Sequence, residues 1–376
     1  MKKRILFLIS DTGGGHRAAA QAIEEAIHHL YPNTYQTIIE DIWKEHTPWP
    51  VNKIPGTYPW MLNRGMPMWR LMWAMSTIVK PHKVVFPGVS PVLKKQITHY
   101  FEQVNPHIIV SVHPLMNHIG LKLKDKAGLG NVPFVTVVTD MVSVHPAWIC
   151  PRVTFCTVPT EPAYRLALKF GLPPEKVMVT GQPVGLKFAA AIQNKQRLKE
   201  QLGLYPERRT ILVAGGGEGH GRVLEIARAI AATVCQAQMI IVAGRNAALQ
   251  QTLSRIAWEI PTQIYGFVNN MPELMGAADI LVTKAGPGTL SEALIARLPL
   301  IISGYIPGQE TGNVSYIQQH RAGLFVEDPP EIARLVNEWV NPDNPSLQQM
   351  VCNAAALAKP RAALTIAAKV RDLVEN

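Results

Sequence analysis

Three stretches of this 376-residue chain set glycines beside ionisable side chains where an apolar run meets a helical one. The first is Asp11-Thr-Gly-Gly-Gly-His16-Arg17, between RILFLIS and AAAQAIEEAIHHL. Gly13, Gly15 and Ala18 fit the G-x-G-x-x-A dinucleotide fingerprint, and Glu40 closes the next apolar run at the distance of a ribose-binding acid. The same turn, Gly14 and Gly15 included, equally lets a substrate approach the backbone, with His16 at a strand's carboxyl end, where open sheets place ligands. An oxidoreductase using a nicotinamide or flavin and a histidine working on a bound substrate both remain open here. The second stretch is Gly215-Gly-Gly-Glu-Gly-His-Gly221. It lacks the Lys-Ser/Thr of a Walker A loop, and Gly216, Gly217, Glu218 and Gly219 read as a tight connection or as a close backbone approach to a ligand.

The third stretch, Thr283-Lys-Ala-Gly-Pro-Gly-Thr-Leu-Ser-Glu292, is the most specific. Gly286, Pro287, Gly288 and Thr289 open a helix whose first amides and dipole suit a diphosphate. Glu292, one turn on, can accept hydrogen bonds from ribose hydroxyls, or can be an ordinary surface glutamate on a capped helix. Gln309, Glu310 and Asn313, after the next apolar run, offer amide and carboxylate groups to sugar hydroxyls. Phe267 and Val268, behind Gly266, offer an aromatic face and backbone groups to a base. No D-x-D, H-E-x-x-H or C-x-x-C occurs, so the sequence predicts no metal site and no metal cofactor. No G-x-S-x-G elbow occurs either.

The elements that must position these groups come in two cycles. RILFLIS, YQTIIEDI, HIIVSVH, PFVTVVTDM and RVTFCTV form the first; TILVAGG, MIIVAG, TQIYGFV, DILVTKAG and LPLIISG the second. Runs apolar on both faces and alternating with helices predict parallel sheets covered on both sides, hence an α/β chain of two doubly wound domains. The expected division is 1–185, 186–345 and a terminal helical segment, 346–376, with Pro360 breaking or kinking it. Composition excludes disorder: 47% of residues are hydrophobic and 17% charged. Four scattered cysteines form no disulfide framework. No apolar window is long enough to span a membrane, and the start is too short in apolar residues for a signal peptide.

The net charge of +10 is uneven. Residues 1–185 hold 19 basic and 11 acidic side chains, and residues 46–101 hold no Asp or Glu at all. That stretch carries Arg64, Arg70 and five lysines with Trp49, Trp60, Trp69 and Trp73 and five methionines. It reads either as a Met/Trp core stripe under a basic face or as an interfacial segment for anionic lipid. Stacking on nucleic acid also fits tryptophans among basic residues, but leaves the glycine motifs unexplained.

SDTGGGHRAAAQAI, GGGEGHG, AGRN, GFVNNMPELMGAADILVTKAGPGTLSEALI and SGYIPGQETGNV together resemble the monogalactosyldiacylglycerol synthase family of glycosyltransferase family 28. TPWPVNKIPGTYPWM and TDMVSVHPAWI resemble its plant-type members. The resemblance runs from about residue 5 to about residue 340. His220, Ala19 and Gln182 depart from the commoner forms. What it implies is a GT-B fold of two Rossmann-like domains facing a cleft. An acceptor and membrane-binding N-terminal domain would face a UDP-sugar-binding C-terminal one, with the last helix crossing back. It implies inverting, metal-independent transfer of galactose or glucose from UDP-galactose or UDP-glucose to diacylglycerol, the UDP-sugar being co-substrate rather than cofactor. His16 would be the general base, Asp11 or Asp140 its orienting partner, and the glycine loops with Arg245 would hold UDP. The enzyme would lie peripherally on the cytoplasmic side of a membrane, bound to anionic lipids, with no nucleic acid as partner. A GT-B type UDP-sugar epimerase is the rival within the fold.

Overall fold

The computed structural model describes residues 2–11, 14–47, 49, 51–53, 56, 65, 68–69, 73–75, 91–191, 194–219, 221–341 and 344–376. They form two compact units. The first comprises Met1–Leu186, Pro307–Gln309 and Arg361–Asn376; the second comprises Lys187–Ile306 and Glu310–Pro360.

The first unit is built on β1 (Lys3–Ile9), whose Ile5 to Ile9 are all buried, as a strand covered on both faces requires. It pairs in parallel with β2 (Tyr35–Asp41) and β3 (Ile108–Ser111). Then follow β4 (Phe134–Val137), β5 (Phe155–Val158) and β6 (Val177–Val179), giving the order β2-β1-β3-β4-β5-β6. The order reverses between β1 and β3, so their carboxyl ends open the crevice where doubly wound sheets receive ligands. Helix α1 (Gly15–Leu30) follows β1, with Ala19, Ile23, Ala26 and Ile27 as its buried stripe. Between β2 and β3 lie α2 (Ile42–Glu45) and α3 (Pro91–Val104); α4 (Pro114–Lys126) and α5 (Glu161–Lys169) follow β3 and β5.

The second unit has the order β12-β11-β10-β7-β8-β9, the Rossmann order 3-2-1-4-5-6. Its strands are β7 (Arg209–Ala214), β8 (Ala237–Val242), β9 (Thr262–Tyr265), β10 (Ile280–Lys284), β11 (Leu300–Gly304) and β12 (Gly323–Phe325). The helices that concern the site are α6 (Lys187–Ala191), α7 (Lys195–Gln201), α8 (Val223–Thr233), α9 (Ala247–Ser254), α10 (Met271–Ala277), α11 (Pro287–Ile295) and α12 (Thr311–Gln319). The apolar runs located ten strands. β6 and β12 escape that reading because each is a three-residue edge strand, too short to show a pattern.

After α13 (Pro329–Trp339), the terminal segment divides. Helix α14 (Pro345–Leu357) stays with the second unit, and α15 (Ala362–Glu375) belongs to the first, so Pro360 separates two helices rather than kinking one. Ala363, Ile366, Ala367 and Val370 of α15 join the core that α1 and β1 build. Lys3 Nζ and the Tyr35 hydroxyl both reach Glu375, at 2.7 and 2.8 Å.

At the amino ends of the second sheet, Asp279 ties α7 down. Its carboxylate accepts from Lys195 and Lys199 at 2.9 Å each, from Arg209 at 3.2 Å and from the Thr210 amide at 2.9 Å. Burial alone would raise this carboxyl, but the two lysines and the amide hold it at about 2, below its ordinary 3.8. The stabilisation is therefore complete above pH 4 and is lost as pH falls through about 2. Asp279→Asn should destabilise the second unit by about 3 kcal/mol, since it strands the buried Lys199 ammonium. An unchanged midpoint in urea would show that the network contributes nothing.

Candidate functional site

At the carboxyl end of the first sheet, Gly14 caps α1 with φ 77°, a left-handed conformation that glycine adopts without strain, and this turn sets His16 in the helix's first turn. His16 Nδ1 lies 3.1 Å from the Thr139 hydroxyl, two residues past β4. His113, two residues past β3, meets the His16 ring edge-on at 4.8 Å, and the Trp148 ring lies 6.0 Å away. Burial pulls the His16 pKa down to about 4, against a hydrogen bond with the Val112 backbone and the Asp11 charge, which pull upward. Burial and the nearby His16 push His113 well below its ordinary value. At neutral pH His16 is an uncharged imidazole with a lone pair available.

The carboxylates expected to orient His16 are engaged elsewhere. Asp11 holds Arg17 through both oxygens, at 2.7 and 2.8 Å, and touches His16 only through its field. Asp140 accepts the Trp148 indole N–H at 2.7 Å. The Trp148 carbonyl in turn accepts from Asn117 at 2.8 Å, so the wall beside His16 is pinned at both ends. Glu40, the would-be ribose acid of a dinucleotide site, bonds His46 at 3.0 Å and the Tyr100 hydroxyl at 3.1 Å. Among the described residues nothing lies within 4 Å of where a Cβ on Gly15 would sit.

Of the basic, tryptophan-rich stretch, Trp49 is 78% exposed. Trp69 and Trp73 are half-buried, their rings tilted to each other at 5.8 Å, and Trp73 meets the His145 ring edge-on at 4.8 Å. Trp60, Arg64 and Arg70, with Gly13 and His220 of the glycine loops, lie outside the described residues.

In the second unit the glycine stretches converge at the carboxyl ends of β7, β8 and β10. Gly219 and Gly244 cannot carry side chains: a Cβ on Gly219 would sit 2.0 Å from the Ala243 carbonyl, and one on Gly244 would sit 2.5 Å from that of Gly217. This interlocking brings Arg245 to Glu218, at 2.8 Å, and lays its guanidinium 4.2 Å above the Phe267 ring. Phe267 remains 54% exposed, so its ring is a platform for a flat group. Gly286 caps α11 without any side-chain hydrogen bond, Pro287 takes its first position, and no described residue lies within 4 Å of where a Cβ on Gly288 would sit. The Gly288 and Thr289 amides at that start suit an anion. Glu292, one turn along, is pushed up to about 7 by burial.

Sequence reasoning missed Lys284, although it stands directly before the Ala-Gly-Pro-Gly run. Its Nζ binds Glu310 at 2.7 Å and would meet a Cβ on Gly286 at 3.0 Å; its Cε would meet one on Gly216 at 3.2 Å. Both glycines therefore make room for one ammonium. Glu310 is 2% exposed; one oxygen takes Lys284 and the other the Ile306 amide at 2.8 Å. Its two oxygens thus hold the Lys284 ammonium and the turn after β11. Asn313 is likewise buried and pins the turn through Nδ2 to the Ala285 carbonyl at 2.9 Å. Gln309 falls with the first unit, and Val268 follows Phe267 on the loop after β9. Among the described residues no group of three or more His, Cys, Asp or Glu could hold a metal ion.

Two parallel doubly wound sheets with these glycine turns at their carboxyl ends define a GT-B glycosyltransferase fold. Acinetobacter baumannii MurG shares it, with a TM-score of 0.61 at 14% identity over 98% of this chain and 99% of its own. Residues 16–184 match the monogalactosyldiacylglycerol (MGDG) synthase family, and residues 210–366 match the glycosyltransferase family 28 C-terminal domain. The chain is 39% identical over its full length to a probable MGDG synthase of Glycine max and to MGDG synthase 1 of Arabidopsis thaliana, both chloroplastic, covering 72% of each. It belongs to the MGDG synthase family.

Proposed function

We propose that this chain transfers galactose from UDP-galactose to the free hydroxyl of 1,2-diacylglycerol, with inversion and without a metal ion. The relatives' names favour galactose over glucose. The observation that carries the donor assignment is the meeting of Lys284 with the uncapped start of α11. A positive charge and free amides there suit the diphosphate as negative charge develops on the departing UDP. Phe267 would stack on uracil, with Val268 beside it, and Glu292 would take the ribose hydroxyls. Burial leaves that carboxyl eager for hydrogen-bond donors.

In the first unit, His16 would accept the proton of the acceptor hydroxyl. The oxygen would bond the anomeric carbon as the carbon–oxygen bond to UDP breaks on the opposite face, yielding a β-glycolipid. No helix among the described residues is long and apolar enough to cross a membrane. Surface attachment would rest on the acid-free stretch, where Trp49, Met68 and Met75 are exposed.

Vesicles containing diacylglycerol and an anionic lipid, supplied with UDP-galactose or UDP-glucose, test the reading. Galactolipid should form several-fold faster than glucolipid, and vesicle binding should weaken as salt rises. A glucose preference would overturn the donor, salt-independent binding to neutral vesicles the electrostatic attachment, and sugar-nucleotide conversion without lipid would favour the epimerase.

A further inference from the structure

The side chain that hydrogen-bonds His16 carries a hydroxyl, not a carboxylate. His16 hydrogen-bonds no carboxylate among the described residues; its partners are the Val112 backbone and one side chain, Thr139, whose Oγ1 lies 3.1 Å from Nδ1. Thr139 is 4% exposed and lies two residues past β4, directly after Val138, whose amide still bonds the Thr157 carbonyl of β5 at 2.9 Å. The two acids within reach are committed, Asp11 to Arg17 and Asp140 to Trp148.

We infer that Thr139 is the positioning residue for His16, its Oγ1 accepting the Nδ1 proton so that Nε2 carries the lone pair that takes the acceptor's proton. This rests on the reading of His16 as base. A hydroxyl oxygen accepts a hydrogen bond as readily as it donates one. Only the tautomer protonated at Nδ1 leaves the nitrogen away from Thr139 able to act as a base. As His16 gains its proton, the Nδ1–H···Oγ1 bond becomes charge-assisted and strengthens, so it favours the transition state over the ground state. The charged and titratable groups facing the ring are Asp11, whose charge is shared with Arg17, and His113, whose burial keeps it neutral. A hydroxyl partner brings no full negative charge, which distinguishes this site from the carboxylate–histidine pairs of many hydrolases.

The test compares Thr139→Val, Thr139→Ser and His16→Ala in the full-length enzyme with UDP-galactose and diacylglycerol vesicles. Thr139→Val keeps the shape and removes the hydroxyl. It should lower kcat about 10- to 100-fold, leave the KM for UDP-galactose near wild type, and move the acid limb of the kcat profile to lower pH. Thr139→Ser should restore both the rate and the limb. Should the valine variant fold poorly by thermal melting, Thr139→Ala carries the same expectation and serine remains the rescue. Wild-type kcat and an unmoved acid limb in the valine or alanine variant, with His16→Ala inactive, would overturn the Thr139 role and leave the base intact. An active His16→Ala would instead remove the base reading itself.

Discussion

Replacing His16 with alanine is expected to lower kcat by about 10²- to 10⁴-fold, the usual contribution of a positioned general base, while UDP binding stays nearly unchanged. The expectation follows from position and protonation together. The side chain lies in the first turn of α1 beside Thr139, and no described residue comes within 4 Å of where a Cβ on the neighbouring Gly15 would sit. Because burial holds the imidazole at about 4, it is deprotonated and ready across the neutral range. The kcat profile should therefore fall only below about pH 5, as protonation removes the lone pair, and not near the 6.5 of an ordinary histidine. A limb at 6.5, or turnover surviving the alanine, would remove His16 from the chemistry.

Replacing Lys284 with methionine should have the second large effect, about 10- to 100-fold in UDP affinity, as expected for one charge-assisted contact with a diphosphate. The single variant has a second consequence, because it leaves the buried Glu310 carboxylate without its ion partner and costs about 3 to 5 kcal/mol of stability. The Lys284→Met, Glu310→Gln pair separates the two. It should recover most of the lost thermal stability and none of the UDP affinity measured by calorimetry. A double variant that binds UDP like the wild type would make Lys284 a structural ion-pair partner only.

The contrast between these two sites shows what the sequence could reveal. The glycine turns were readable because they are local. Gly14 must be left-handed, Gly219 and Gly244 have no room for a Cβ, and each lies where a buried apolar run gives way to a helix. The two sheets followed from the same runs. What escaped depends on pairing across the chain. Thr139 and His16 are 123 residues apart, and Lys284 and Glu310 are 26 apart. Composition could rank Asp11, Asp140 and Glu310 as chemically able, but not show that Arg17, the Trp148 indole and Lys284 had claimed them. A histidine or carboxylate beside a glycine turn advertises a site; its partner is chosen by the strand order, which no local spacing displays. Among the tryptophans of the acid-free stretch, local reading could not separate the exposed Trp49 from Trp73, which meets the His145 ring edge-on.

The most direct test of the account is the anomeric configuration of the glycolipid made by the purified enzyme from UDP-galactose and diacylglycerol vesicles, read from the H1–H2 coupling in its proton NMR spectrum. Direct attack by the His16-activated hydroxyl predicts a single product with the large coupling of a β-galactoside. A product with the small coupling of an α-galactoside, or no glycolipid while UDP-galactose is consumed, would contradict it.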